Sequence, residues 1–221
     1  EKIKSLTNDF NQRNIKSFKF YKADLAERID VENLIFEIKK LENIDVLINN
    51  AGALFLKKEI NSDGIEKTFA INYLSHFYLT FSLIDIIKRN KNSRLINVSS
   101  MVHKFANLNL NDINFEKNYN GYIAYFNSKL MNILFCYKIR RIYNNDVNCF
   151  VINPGWINTH FGNNNKSKIR FLLNFFRDKF AKKPIHVADE IFNICTKQEY
   201  LNITGNYLVK NKISKSSVLS Y

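Results

Sequence analysis

The stretch Ile44-Asp45-Val46-Leu47-Ile48-Asn49-Asn50-Ala51-Gly52 indicates how this chain folds. It begins as a short, mostly apolar run and ends in small and polar residues. A short apolar run is typical of a parallel strand that is buried on both faces. The stretch therefore predicts a buried parallel strand, followed by a turn.

Similar short segments recur along the chain, with room for helices between them. Further strands are predicted at residues 15–22, where Phe18 and Phe20 alternate with polar residues, and at 94–98, 147–152 and 207–209. The spacing of apolar residues predicts helices at 31–41, at 65–88, from 124 onward and at 187–196. Strands that alternate with helices in this way predict a parallel sheet covered by helices on both faces.

Polar or small residues follow these predicted strands at the points where the strands end. They are Asp24 after the first strand, residues 49–52 after the second, Ser99 and Ser100 after the third, and residues 153–155 after the fourth. Parallel sheets bind ligands at the carboxyl ends of their strands. The coincidence of four such clusters predicts a ligand site along that edge of the sheet.

The helix that begins near Ala124 carries the pair Tyr125 and Lys129. Residues four apart share one face of a helix, so a phenol and an ammonium group lie side by side. A nearby cation favours the phenolate and lowers the pKa of a tyrosine, which is how a tyrosine becomes a general acid or base. The alternative is an amphipathic helix whose lysine extends to solvent, because a chain with 11 tyrosines contains such a pair by chance.

Composition sets broad limits on the class of protein. The chain has 221 residues, 46% of them hydrophobic, which is enough for one α/β domain with a substantial core. The formal net charge of +13 raises nucleic acid or an anionic membrane as partners. The basic residues are scattered, however, and we interpret the charge as a compositional bias with no nucleic-acid partner.

Cysteine and histidine spacing gives no metal site. The three cysteines, Cys136, Cys149 and Cys195, form no Cys-x-x-Cys pair, and the four histidines show no ligand spacing. A reducing compartment fits this cysteine usage best. No apolar run reaches the roughly 18 residues of a membrane span.

Together, these segments resemble the short-chain dehydrogenase/reductase family, and specifically its retinol-dehydrogenase-like branch. The matching motifs are Asn-Asn-Ala-Gly at 49–52, Asn-Val-Ser-Ser at 97–100, Tyr125-x-x-x-Lys129, and Pro154-Gly155, in the order of the family. The step of 25 positions from Ser100 to Tyr125 is similar to the spacing of that branch. The resemblance runs from about residue 3 to residue 210, and it implies a Rossmann-like, doubly wound sheet in three αβα layers, with residues 1–221 as a single domain.

The resemblance also implies an activity and four catalytic residues. The protein would transfer hydride between NAD(P)(H) and an alcohol or carbonyl group. Tyr125 would give a proton to the substrate oxygen or take one from it, and Lys129 would lower the pKa of Tyr125 and bind the cofactor ribose. Ser100 would hold the substrate oxygen, and Asn72 would anchor a water in the proton relay. From the residues alone, the alternatives are a helix or loop cap at Ser100 and a buried Asn72 whose side chain is hydrogen-bonded to backbone.

The cofactor expected from the branch is NADP, with NAD as the alternative. Residues expected to contact it by resemblance are Asp24, Leu25, Asn50, Ala51, Gly52, Tyr125, Lys129, Pro154, Gly155 and Thr159. The alternatives are a helix start at Asp24 and ordinary tight turns at 50–52 and 154–155.

Residues 166–183 correspond to the variable substrate lid of the family. The segment mixes phenylalanines and leucines with lysines and arginines. Its apolar residues suit a retinoid, a steroid or a lipid aldehyde, and its basic residues suit contact with an anionic membrane surface. The alternative is a helix that packs its aromatic face into the core. The resemblance is compatible with a homo-oligomer. It is also compatible with two locations, the cytoplasm or the periphery of a membrane that faces the cytosol.

One family motif is missing from the sequence. The glycine-rich turn that binds the cofactor pyrophosphate is not formed by any of the six glycines. By resemblance, the first two strands and the first helix are also missing, which would leave strand edges open. We therefore expect a fragment of a longer protein; the alternative is a non-catalytic binding or scaffold member of the family.

Overall fold

A computed structural model describes residues 2–13, 17–144, 146–155 and 183–217. The helices within these ranges are α1 (Lys2–Gln12), α2 (Arg28–Ile38), α3 (Lys67–Phe69), α4 (Ser75–Ile87), α5 (Gly121–Tyr143) and α6 (Pro184–Thr196). The strands are β1 (Val46–Asn49), β2 (Arg94–Val98), β3 (Asn148–Asn153), β4 (Tyr207–Val209) and β5 (Lys212–Ile213). They form one sheet in the order β1-β2-β3-β4-β5, in which the first four strands are parallel and β5 is antiparallel.

The strand register brings the polar strand ends together. Asn49 of β1 pairs with Asn97 of β2, and Val98 of β2 pairs with Ile152 of β3. All residues of β2 and β3 are buried, as expected for parallel strands covered on both faces. The segments that follow β1, β2 and β3 therefore leave the sheet at one edge, as the sequence predicts.

Helices cover both faces of this sheet and make a three-layer α/β fold. One face packs against α2, α4 and α5 through a large apolar cluster that includes Leu83, Leu95 and Ile133. The other face packs against α6 through a smaller cluster built around Phe150 and Ile194. The predicted Rossmann-like arrangement is confirmed.

The strand predicted at residues 15–22 is wrong for the part that the structure describes. Residues 17–24 form no strand, and the ring of Phe18 packs instead against Phe10 of α1 and against Phe20. A strand needs a neighbour for its backbone hydrogen bonds. Among the described residues none pairs with the outer side of β1, where Ile48 is 41% exposed.

The predicted helix at 65–88 is continuous from Lys67 to Ile87, but it contains a π-helical turn at Ala70–Leu74. Buried Glu66 caps its start by accepting hydrogen bonds from the backbone N–H of Thr68 and Phe69. By length and composition this helix could cross a membrane, yet half of the apolar window is buried inside the protein. Its packing against α2 and α5 is that of a core helix.

The other elements agree closely with the sequence-based expectations, apart from β5, which was not predicted. Between β2 and α5 lie two 3₁₀ turns, Met101–Phe105 and Leu110–Asp112. Of the predicted lid at 166–183, the structure describes residue 183 alone. The predicted cofactor contact Thr159 lies outside the described residues.

Candidate active site

The start of α5 is fixed by a cap and by a close contact. Asn120 Oδ1 accepts hydrogen bonds from the backbone N–H of Tyr122 and Ile123, at 3.0 and 3.2 Å. Gly121 follows at a point where a Cβ would lie 2.1 Å from the carbonyl oxygen of Phe55. Only a glycine fits this approach, which sets the first turn of α5 against the segment that follows β1.

Lys129 lies in the core rather than at the surface. Its side chain is 3% exposed, and Nζ donates a hydrogen bond to the Val98 carbonyl at 3.1 Å. Burial lowers the pKa of Lys129 to about 8, since a charged group loses its hydration there. The alternative of a lysine that extends to solvent is therefore wrong.

Tyr125 lies one turn before Lys129, and the ammonium group of Lys129 lies over the aromatic ring of Tyr125. Lys129 Nζ is 5.5 Å from the centroid of the Tyr125 ring. Burial raises the pKa of the Tyr125 phenol above its usual value. The sequence-based expectation of a lowered pKa is thus wrong for this arrangement, because burial of the phenol disfavours its charged form.

Asn72 connects the segment after β1 to α5. Its Oδ1 accepts from the Ala53 N–H at 2.7 Å, and its Nδ2 donates to the Ala53 carbonyl at 2.9 Å and to Ser128 Oγ at 3.0 Å. Ser128 Oγ donates in turn to the Tyr125 carbonyl at 2.7 Å. A Cβ on Gly52 would lie 3.4 Å from Lys129 Nζ and 3.6 Å from Asn72 Oδ1. Four predicted site residues, Gly52, Asn72, Tyr125 and Lys129, are therefore together.

The two serines after β2 have different partners. Ser99 is buried, and its Oγ donates to the Lys129 carbonyl at 2.7 Å. Ser100 is half-buried and caps the turn at Met101–Phe105 by accepting from the Val102 N–H at 3.5 Å. The predicted catalytic Ser100 thus begins a short turn that packs against α5.

His103 fixes the backbone beside Ser100. Its Nε2 accepts from the backbone N–H of Ser217 at 3.1 Å, so Nδ1 carries the proton and donates to the Ser100 carbonyl at 2.7 Å. Burial lowers the pKa of this imidazole. Sequence analysis assigned no role to His103, because its partner Ser217 is 114 positions away.

Buried asparagines join the ends of β1 and β2. Asn49 Nδ2 donates to Asn97 Oδ1 at 2.9 Å and to Thr80 Oγ1 at 3.0 Å. Sequence analysis missed this link, although an amide inside an apolar strand is the signal that could have found it. The two amides hold the strand ends in register next to Gly52.

Two predicted cofactor contacts lie away from this cluster. Asp24 is exposed, and its Oδ1 accepts from the Ala26 N–H at 2.9 Å, as expected for a turn that leads into α2. Leu25 lines a cavity of about 200 Å³ between α2 and α4. The structure does not bring these two side chains to Lys129.

The remaining predicted contacts follow the strand ends. Asn50 is exposed and Ala51 is half-buried, in the segment that directly follows β1. Pro154 and Gly155 follow β3; the Gly155 N–H donates to Asn153 Oδ1 at 3.0 Å, and its φ of 78° is a conformation that favours glycine. No group of three metal-ligating side chains occurs in the part of the chain that the structure describes.

Comparisons with known proteins agree with this geometry. A sequence model of the short chain dehydrogenase family matches residues 1–170. The chain is 34% identical over 188 residues to human "Retinol dehydrogenase 14", an alignment that covers 83% of this chain and 56% of that protein. It is 31% identical over 211 residues to human "Polyprenol dehydrogenase", covering 91% of this chain and 64% of that protein. The chain thus spans between about half and two thirds of these relatives.

The fold is also found in solved structures. The NADPH-bound carbonyl reductase from chicken fatty liver superposes with a TM-score of 0.68 at 14% identity, covering 96% of this chain and 81% of that one. An alcohol dehydrogenase from the archaeon Thermococcus sibiricus, in complex with 5-hydroxy-NADP, gives a TM-score of 0.66 at 16% identity, covering 97% and 84%. At these identities the likeness concerns the fold alone. Sequence and fold together show that the chain belongs to the short-chain dehydrogenase family, in its retinol-dehydrogenase-like branch.

Proposed function

We propose that the protein is an NAD(P)-dependent oxidoreductase that transfers hydride between the cofactor and an alcohol or carbonyl group of an apolar substrate. The observation that carries this proposal is the buried Lys129 ammonium beside Tyr125, tied to Asn72 through Ser128. A buried charge that no carboxylate pairs is costly for stability. Such a charge is typical of an active site that catalyses proton transfer.

The residues present fit the nicotinamide half of the cofactor. Gly52 offers backbone without a side chain next to Lys129 Nζ, which permits a close approach by a ligand. Asn50, Ala51, Pro154 and Gly155 follow the strand ends at the same edge of the sheet, whereas Asp24 and Leu25 lie away from it. The expected contact at Thr159 lies outside the described residues. When bound, the cofactor supplies or accepts the hydride. We propose NADP, the cofactor expected from the branch, with NAD as the alternative.

Tyr125 is the proposed proton donor in carbonyl reduction. Burial raises the pKa of the Tyr125 phenol, so the free protein keeps it protonated, and it needs a group that stabilises the phenolate in order to act as an acid. As the carbonyl carbon of the substrate gains hydride, the carbonyl oxygen takes the phenol proton, and the Tyr125 phenolate remains. The positive charge of Lys129 stabilises that phenolate, and Ser100 donates a hydrogen bond to the substrate oxygen. The reverse sequence oxidises an alcohol.

An apolar substrate is favoured by the relatives. Their names are retinol and polyprenol dehydrogenases, and both names denote long apolar alcohols. The phenylalanines and leucines of residues 166–183 supply apolar side chains of the kind such a substrate needs. The basic residues of the same segment favour contact with the surface of a membrane facing the cytosol, and we propose no nucleic-acid partner. Homo-oligomer formation is compatible with the same site.

The second candidate is a non-catalytic binding or scaffold protein. The observation behind it is that none of the six glycines of the given sequence forms the glycine-rich turn for the pyrophosphate. The two candidates differ in a simple measurement. Binding of NADPH with a micromolar dissociation constant, measured on the protein at its natural length, would support the enzyme and contradict the scaffold.

The proposed function is tested by turnover of retinol and of a long-chain polyprenol with NADP and NAD. Tyr125→Phe removes the phenol hydroxyl, and we expect turnover to fall by a factor of at least 100, the range typical of a lost general acid. Tyr122→Phe is the matched control on the same helix. Wild-type turnover in Tyr125→Phe would show that the mechanism is wrong.

A further inference from the structure

The carbonyl of Ser100 is held by a single residue, His103. The preceding residue is still tied to the sheet, because the Ser99 N–H donates to the Ile152 carbonyl at 2.8 Å. One residue later, the Ser100 carbonyl accepts from the backbone N–H of His103 at 3.2 Å and from His103 Nδ1 at 2.7 Å. A carbonyl oxygen has two lone pairs. His103 therefore fills both and fixes the backbone that carries the Ser100 side chain.

The imidazole of His103 is fully buried and is itself held from two sides. The ring of Tyr207 on β4 packs against it edge to face, with 5.1 Å between the ring centroids. Its Nε2 accepts a hydrogen bond from the Ser217 N–H at 3.1 Å. The orientation of the ring, and with it the bond to Ser100, thus depends on a residue far along the chain.

Residues 214–217 follow β5 and form a strap, the 214–217 strap, that contacts three parts of the fold. The Ser214 N–H donates to the Tyr207 carbonyl on β4 at 2.9 Å. The hydroxyl of Ser216 lies 2.9 Å from the hydroxyl of Tyr137 on α5. The third contact is the bond to the imidazole. The strap is neither helix nor strand, so its position depends on contacts of this kind.

Only a neutral imidazole can make both of these bonds. A protonated ring would carry a hydrogen on Nε2, facing a Ser217 N–H that also donates. Burial lowers the pKa of His103, and the positive charge of Lys104 in the same turn acts in that direction too, against the bond to Ser100. Burial raises the pKa of Tyr207, the titratable group that faces the ring from β4, to about 12. No carboxylate in the described part of the chain acts on the imidazole, which therefore stays neutral in the folded protein.

We propose that the 214–217 strap positions Ser100 for the substrate oxygen, with His103 as the positioning residue between them. The strap orients the imidazole through Ser217, and the imidazole fixes the Ser100 carbonyl. Ser100 Oγ is the acceptor in its long bond to the Val102 N–H, at 3.5 Å, so its own hydrogen serves the substrate. A hydrogen bond that must form in the transition state gains from a donor held in place beforehand. This catalytic role rests on the proposed oxidoreductase function, whereas the strap itself does not.

Two substitutions separate the two bonds of the His103 ring. In His103→Asn the amide nitrogen takes the place of Nδ1 and keeps the bond to Ser100, but nothing reaches Ser217. In His103→Gln the amide oxygen takes the place of Nε2 and keeps the acceptor for Ser217, but the bond from Nδ1 to Ser100 is lost. The two variants therefore test the strap and the Ser100 contact one at a time.

Hydrogen exchange of the Ser217 amide, followed by NMR on the protein at its natural length, tests the strap without any need for activity. Exchange should be about tenfold faster in His103→Asn, the effect of one lost hydrogen bond. It should stay within about twofold of wild type in His103→Gln, which keeps the acceptor. Equal exchange rates in wild type and in both variants would overturn the strap.

Tyr137→Phe tests the strap from α5 and leaves His103 intact. It removes the hydroxyl that bonds Ser216, so the Ser217 amide should exchange faster by a factor of roughly 2 to 10. Tyr143→Phe on the same helix is the matched control, because the ring of Tyr143 packs against Phe81 and under Lys88. If the His103 variants do not fold, this pair still decides, and equal exchange in the two variants would contradict the strap.

A double-mutant cycle tests whether His103 acts through Ser100. His103→Gln should lower kcat by a factor of about 10 and leave the KM for substrate within about twofold, since placement of the hydroxyl matters in the transition state. In a Ser100→Ala background the same substitution should change kcat by less than about twofold, because the hydroxyl that it positions is gone. His186→Gln, on α6 and exposed, is the control. An equal loss of kcat in both backgrounds would overturn the positioning role.

The two measurements also separate this inference from the proposed function. Wild-type protein without turnover would contradict the proposed function, and exchange of the Ser217 amide would still decide the strap. Active wild-type protein with unchanged kcat in His103→Gln and in Tyr137→Phe would leave the proposed function intact and overturn the inference.

Discussion

The hydroxyl of Tyr119 lies 3.0 Å from Oε1 of Glu66, a residue 53 positions away along the chain. The same hydroxyl lies 2.7 Å from the Phe55 carbonyl. Glu66 caps the helix that carries Asn72, and Tyr119 precedes the cap of α5. This one contact therefore holds three parts of the site together: the segment after β1, the helix of Asn72, and the approach to Tyr125.

Tyr119→Phe should destabilise the protein while leaving the fold intact. The variant removes the one O–H that the buried Glu66 carboxylate and the Phe55 carbonyl share, which costs about 1–3 kcal/mol. Urea unfolding measures the loss. Tyr122→Phe on α5, whose ring packs against Phe126, is the control and should change the free energy of unfolding by less than about 0.5 kcal/mol. Equal effects of the two substitutions would contradict the role of Tyr119.

Gly121→Ala should destabilise the protein more than Gly64→Ala, where the new Cβ meets no other atom. The new Cβ would lie 2.1 Å from the Phe55 carbonyl oxygen, so backbone must move, at a cost of about 1–3 kcal/mol. Gly64 gives the comparison, since a Cβ there meets nothing within 4 Å and its cost comes from a φ of +77°, about 1 kcal/mol. Thermal unfolding of both variants checks the order, and a smaller effect at Gly121 would contradict the close contact.

Lys129→Met should separate stability from activity. The substitution removes a buried charge and keeps most of the apolar volume, so the free energy of unfolding should be unchanged or higher. Turnover should be lost, since the Tyr125 phenolate loses its cation. Calorimetry and assays on the same preparation test both halves. Clear destabilisation at neutral pH would show that the ammonium group serves mainly to hold the fold together.

Lys129 should also make stability rise with pH. Its pKa is about 8 in the folded protein and 10.5 as an ordinary value. Between these values the unfolded chain binds more protons, so the folded state gains stability as pH increases from about 8 toward 10.5. Urea midpoints of wild type and Lys129→Met, measured from pH 7 to pH 10, should converge. Parallel curves would contradict the lowered pKa.

His76 should make the protein sensitive to acid. Its pKa falls from 6.5 to about 3 on folding, so its contribution to stability is complete above 6.5 and is lost as pH falls toward 3. His76→Phe removes this term, and its stability should decline less steeply than that of wild type between pH 6.5 and pH 4. His186→Phe, on α6 and exposed, is the control and should follow the wild-type curve.

Sequence predicted the strands well where burial alone decides them. Residues 94–98 and 207–209 coincide with β2 and β4, because a central strand must be apolar and short. Convergence of the strand ends follows from parallel geometry. The prediction of a strand at 15–22 is wrong because a strand also needs a neighbouring strand to pair with. Alternation of apolar and polar residues in one segment does not show whether such a neighbour exists.

The sequence predicts several residues of the candidate site, but it does not predict the hydrogen bonds that connect them. Asn72, Tyr125 and Lys129 were found through motif and resemblance. The bond from Asn72 to Ser128 spans 56 positions, and that from Asn132 to Asn72 spans 60. Neither has a local sequence pattern. The pKa of Tyr125 was predicted in the wrong direction, because helical spacing shows that Lys129 is near but not that the phenol itself is buried.

The helix from Lys67 to Ile87 contains a π-helical turn at Ala70–Leu74, and this turn fixes the number of residues that the helix can have. A single π-turn accommodates one additional residue relative to a regular α-helix. Deleting Ile71 would restore the regular repeat and turn every earlier residue by about 100° relative to every later one. Glu66 and Thr80 would then no longer face their partners, Tyr119 and Asn49, at the same time. Chains that carry this site should therefore keep the same number of residues between Glu66 and Thr80.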